Sequence, residues 1–108
     1  MSTRLIAEIL EAIARVRSAH STHALRQAVN DFIRVLGSIP DEPAGSFSTD
    51  QVHVIQSLGD KVIDRIEERV DAASTTQALP LISDIYEIRR LLEEVRRWHL
   101  HYAMARPA

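Results

Sequence analysis

Between Ala78 and Tyr102 an apolar or half-apolar residue recurs at every third or fourth position: Ala78, Leu81, Ile85, Ile88, Leu92, Val95, His99 and Tyr102. That spacing is the period of an α-helix and not of a strand, and it is sustained without a break. Three more segments repeat it. Ile6, Ile9, Ile13 and Val16 mark a stripe over about residues 3–19, widened by Leu5, Leu10 and Ala12. Leu25, Val29, Phe32 and Leu36 mark one over 22–36, flanked by Ala28, Ile33 and Val35. Val52, Ile55, Leu58, Val62, Ile66, Val70 and Ala73 mark one over 48–73. Only three glycines and five aromatic residues occur in 108 positions, too few turn and strand formers for a β-sandwich or barrel. The expected class is all-α.

The breaks between stripes carry helix punctuation. Ser2 or Thr3 can cap the first helix. From Val16 to Leu25 is not a heptad step, so either a turn lies between the first two stripes or one long helix carries a stutter. Ser18, Ser21 and Thr22 favour the turn, being good caps and poor helix-interior residues. Gly37 suits the position just past a helix end. The segment Gly37 to Ser46 holds two of the three glycines and two of the four prolines and reads as a loop. Ser48-Thr49-Asp50-Gln51 reads as a capping box, with Phe47 and Val52 spaced as a hydrophobic staple. The last helix is expected from about Thr76 to 102, with Pro80 at the end of its first turn, where a missing N–H does least harm.

A weak internal repeat supports two hairpins. Residues 15–25 (RVRSAHSTHAL) and 69–79 (RVDAASTTQAL) agree at six of eleven positions, at an offset of half the chain. Each copy ends one helix and starts the next, which makes Thr22 and Thr76 the expected N-caps of helices 2 and 4. The expected fold is an antiparallel four-helix bundle in one domain: hairpin 3–36, loop 37–47, hairpin 48–102, and a disordered tail 103–108. The alternative is three helices, the first continuous from 3 to 36.

Several chemistries are excluded or weakened. No cysteine is present, so disulfides, thiolate metal sites and thiol nucleophiles are impossible. Glycine-rich phosphate loops and Gly-x-Ser-x-Gly are missing, and no Glu-x-x-His occurs, so neither an enzyme nor a di-iron bundle is expected. The five histidines split between the two ends of the bundle. His20 and His23 have no carboxylate at neighbouring helix spacing. His53 could be joined by Asp50, but His99 and His101 point about 200° apart on a regular helix and cannot both converge on a metal. No cofactor or metal is expected.

The net charge is −2 and each half of the chain is −1, with one lysine, Lys61, among thirteen basic residues. Arg89, Arg90, Arg96 and Arg97 make helix 4 its most basic part. Glu87, Glu93 and Glu94 stand one turn away and are expected to pair with them, so nucleic-acid binding is not favoured. Acidic Glu8 comes too early for a signal-peptide core, and no apolar run reaches the roughly 18 residues of a membrane helix. The expected setting is the cytoplasm of a bacterium.

Helix 4 has a wider apolar face than one neighbour needs. The expected function is therefore a non-enzymatic interaction module that self-associates, most simply as a homodimer, or docks on a larger protein. Leu91, Leu92, Val95, Trp98, His99 and Tyr102 are its expected contact, with Trp98 and Tyr102 as anchors. One alternative is a regulator that binds a small ligand near Gly59 and the histidine-bearing end. A nucleic-acid-binding accessory protein is the other.

Overall fold

A computed structural model describes residues 3–43 and 45–105. They form four helices: α1 (Thr3–Ser18), α2 (Thr22–Ser38), α3 (Thr49–Ala72) and α4 (Thr75–Ala105). A single 3-10 turn, Ile39–Asp41, follows α2. No strand occurs among the described residues. The bundle is elongated, 53 × 22 × 19 Å. With 31 residues, α4 spans most of that length, about 46 Å at about 1.5 Å per residue.

The two-hairpin reading holds, and α1 and α2 are separate helices. Their turn is capped differently from expectation. Ser21, not Thr22, is the N-cap of α2: its backbone is extended and its hydroxyl accepts from the Ala24 N–H at 3.1 Å. Before α4 the Ser74 hydroxyl accepts from the Gln77 N–H at 3.4 Å, and Thr76 lies inside the helix. The repeat locates both turns, but the serines that serve them are out of register with its offset by one residue. The Thr22 hydroxyl has another use, accepting from Arg69 Nε at 2.8 Å.

The capping box at α3 forms as read. The Ser48 hydroxyl accepts from the Gln51 N–H at 3.1 Å, and Gln51 Oε1 accepts from the Ser48 N–H at 2.8 Å. Gly37 does not end a helix. It lies within α2, which passes into the 3-10 turn through Ile39, and a proline at position 40 then removes the donor that a further turn would need. Pro80 sits in the second turn of α4 rather than the first, because the helix starts at Thr75. The far end of α4 runs to Ala105, three residues past the expected limit. Ser2 and the rest of the expected tail, 106–108, lie outside the described residues.

Within each hairpin the helices run antiparallel. Between hairpins, α2 packs on α4 and α1 on α3, each pair running in the same direction, while α2 and α3 face each other across the bundle with little contact. Arg26 and Asp84, both towards the starts of their helices, meet at 3.3 Å. The chain from 39 to 48 therefore crosses the end of the bundle diagonally. Both tight turns share the opposite end. There Arg65 Nη2 donates to the Ala19 carbonyl at 2.8 Å and closes the C-terminal end of α1.

The core is one cluster that draws on all four helices and the crossing segment. Ile9, Phe32, Leu36, Ile39, Phe47, Ile66 and Ile88 are among its fully buried members. Each such side chain contributes about 1.5–3 kcal/mol relative to exposure. Two polar residues are buried with them, Asp84 and His99, and each has a partner: Arg26 for the first, and the Thr49 hydroxyl for the second, 3.1 Å from His99 Nε2.

Candidate interaction surface

The structure turns the expected contact face of α4 inward. Leu91, Leu92, Val95 and His99 are buried, and Trp98 and Tyr102 are half-buried. Their cover comes from the same chain. Leu92 packs against Gly59, where an added Cβ would stand 2.6 Å from Leu92 Cδ1. The Trp98 ring meets Phe47 edge-on, 6.0 Å between centroids. Tyr102 lies over Gly45, whose φ of +86° puts it in left-handed backbone and whose Cβ position would fall 2.8 Å from the Tyr102 hydroxyl. His99 bonds Thr49. The apolar face of the C-terminal half of α4 is therefore largely covered by the 39–48 crossing and by α3 from Thr49 to Gly59. Four of the six are thus closed off within the chain, and Trp98 and Tyr102 keep part of their surface open.

Gly59 likewise serves close helix approach and not a ligand crevice, since Leu92 fills the space beside it. At the histidine-bearing end a depression of about 390 Å³ is lined by Phe47, Thr49, His99 and Tyr102, among others. His20, His23, His53 and His101 are exposed. Among the described residues no three His, Asp or Glu side chains are grouped to hold a metal.

Arg90, Arg96 and Arg97 of α4 are paired as expected, whereas Arg89 forms no ion pair among the described residues. Arg90 bonds Glu87 and also Glu94 (2.6 Å), and Glu93 receives both Arg96 (2.6 Å) and Arg97 (3.4 Å). Hydrogen bonds from Arg90 and Arg96 hold the Glu87 and Glu93 carboxyls below the usual glutamate range and raise the two guanidinium groups above theirs. All of the stripe but Arg89 is thus charge-compensated along its own helix.

Open apolar surface lies elsewhere. Leu10 on α1 is 54% exposed and Val54 on α3 is 55% exposed. They flank a groove of about 260 Å³ between the two like-directed helices. Ile6, Ile9, Ile55 and Leu58 complete its walls and floor, and Asp50 and Gln51 stand at one end. The sequence carried half of the signal: Val54 is an aliphatic residue off the buried stripe of α3, where polar residues are usual, whereas Leu10, expected to widen the stripe of α1, turns outward instead. A second open group, Leu79, Ile82 and Tyr86, lies on the N-terminal half of α4. The hollow beside Ile82 and Tyr86 also takes in Glu67, Asp71 and Arg89, so it is far more polar than the α1–α3 groove.

No helix among the described residues is long and apolar enough to cross a membrane. No protein family, curated protein or solved structure matches the chain.

Proposed function

We propose that the chain is a non-enzymatic interaction module of the cytoplasm that receives an amphipathic helix in the groove between α1 and α3. The observation that carries this reading is the pairing of Leu10 and Val54, two large aliphatic side chains, each more than half exposed, over a mainly aliphatic trough. Two like-directed helices with a trough between them suit a third helix, whose side chains at i, i+3, i+4 and i+7 enter the space between the ridges. The reading keeps the interaction role expected from the sequence and moves its surface from α4 to the opposite pair of helices.

A photo-crosslinking residue at position 10 or 54 tests it, with positions 27 and 89 as exposed controls. In cells producing the full chain, a discrete adduct is expected from 10 and 54 and none from the controls. No adduct from either groove position would overturn the reading.

A further inference from the structure

We infer that the helix pair received in this groove is that of a second copy of the same chain, docked antiparallel about a two-fold axis that passes between Leu10 and Ile55. The inference rests on the groove being an interaction site, and it names the occupant.

Charge decides the occupant and its direction. Along the outer flank of α3 the order is Asp50, Val54, Leu58, Lys61: an acid, two aliphatics and a base at helical spacing. On α1 Arg17 follows Leu10 by two turns on the same flank and stands beside Lys61. Among the described residues Asp50, Arg17 and Lys61 form no ion pair within the chain, whereas Arg65 on the same flank is engaged by Glu68 at 3.4 Å. Asp64 also lies at the basic end and leaves it with a net positive charge. One face therefore has an unpaired acid at one end, an unpaired pair of bases at the other, and apolar side chains between.

A face of that kind is complementary to itself when reversed. Two-fold rotation sets Asp50 of each copy against Lys61 and Arg17 of the other, and Val54 against Leu58. The two helices agree on where the axis falls. The midpoint between Asp50 and Lys61 lies at residues 55–56, and Ile55 shares the groove with Leu10. Docking in the same direction, about a two-fold axis along the helices, would set Lys61 of each copy against Arg17 of the other and leave Asp50 without a cation.

The size of the face sets the strength. Sixteen residues of α1 span about 24 Å, and two adjacent helices about 20 Å, so each copy offers on the order of 480 Å². The total is near the roughly 1,000 Å² lower bound for a specific interface, which corresponds to a weak, reversible dimer.

Sedimentation velocity of the full chain from 10 µM to about 1 mM tests this, with circular dichroism as the check on folding. The wild type is expected to pass from monomer to dimer as concentration rises. The Asp50→Lys variant and the Arg17→Asp/Lys61→Asp variant should each dimerise at least about tenfold more weakly, because each then has the same sign of net charge at both ends of the flank. An equimolar mixture of the two should recover the dimer. A wild type that stays monomeric to 1 mM, or a mixture no better than its components, overturns the inference. If the wild type is monomeric while positions 10 and 54 still crosslink another protein, the occupant is wrong and the groove reading stands. If they crosslink nothing, both fail.

Discussion

Arg26 Nε lies 3.3 Å from Asp84 Oδ2, and this bond between residues 58 apart in sequence ties α2 to α4. The two partners are unequally placed. The Asp84 side chain is only 10% exposed, while that of Arg26 is 39% exposed. The carboxylate therefore depends on the arginine more than the arginine depends on it. Arg26→Ala is expected to cost about 2 kcal/mol, because it leaves a buried carboxylate with no cation. Asp84→Ala should cost less, since the guanidinium can turn to water. Urea unfolding of both variants, with unchanged slope, measures the difference. Equal losses would show that the burial asymmetry is not what matters.

The contact of Gly59 with Leu92 makes a mid-helix glycine favourable. At an open site, Gly59→Ala would stabilise a helix by about 1 kcal/mol. Here the new methyl would meet both Leu92 methyls and Cγ, at 2.6 to 3.1 Å. Overpacking of about 1–3 kcal/mol should outweigh the propensity gain, so the variant is expected to be less stable than the wild type. Combined with Leu92→Ala, the same change should lose its penalty. A double-mutant cycle on thermal unfolding reads this coupling. Additive effects would count against direct contact.

Arg65 and Arg69 hold the first tight turn from outside it. Their bonds to the Ala19 carbonyl and the Thr22 hydroxyl are both 2.8 Å. Replacing both with alanine should loosen that turn selectively. Amide exchange at residues 19–25 is expected to quicken well before exchange in the α3–α4 core does. Uniform acceleration across the chain would mean the arginines stabilise the whole bundle and not the turn.

The acid pairs of α4 bear on pH. The Glu87 and Glu93 carboxyls are held below the usual range by their arginines, so their contribution to stability is present above the unfolded glutamate pKa. It is lost as pH falls through their lower folded values. Carboxyl carbon NMR should find both midpoints below those of unpaired glutamates, and Arg90→Ala should return Glu87 to the ordinary range. These groups are exposed, so 1 M salt should shrink the shifts. Shifts insensitive to both changes would contradict the stated cause.

Much of the architecture was readable from neighbouring residues alone. The capping box at Ser48 and Gln51 formed bond for bond, since both partners lie within one turn. The turn between α1 and α2 was readable for the same reason, although which hydroxyl caps it was not: Ser21 and Thr22 are adjacent, and Arg69, remote in sequence, claims the second. The reach of α4's apolar face was also correctly read, but its cover was not. Phe47, Gly45 and Thr49 belong to a loop and a helix start whose path over α4 no local pattern encodes.

What the sequence determined by itself is therefore the number of helices, their limits to within a few residues, and which side of each is apolar. Those properties rest on period, capping and glycine or proline placement, all of which act within a turn or two of chain. Only the tertiary structure decided which helix lies beside which. An apolar stripe requires burial and does not specify the neighbour that provides it. The diagonal crossing at 39–48 put Leu92, Val95 and His99 of α4 under cover and left Leu10 and Val54 open on the flanks of α1 and α3.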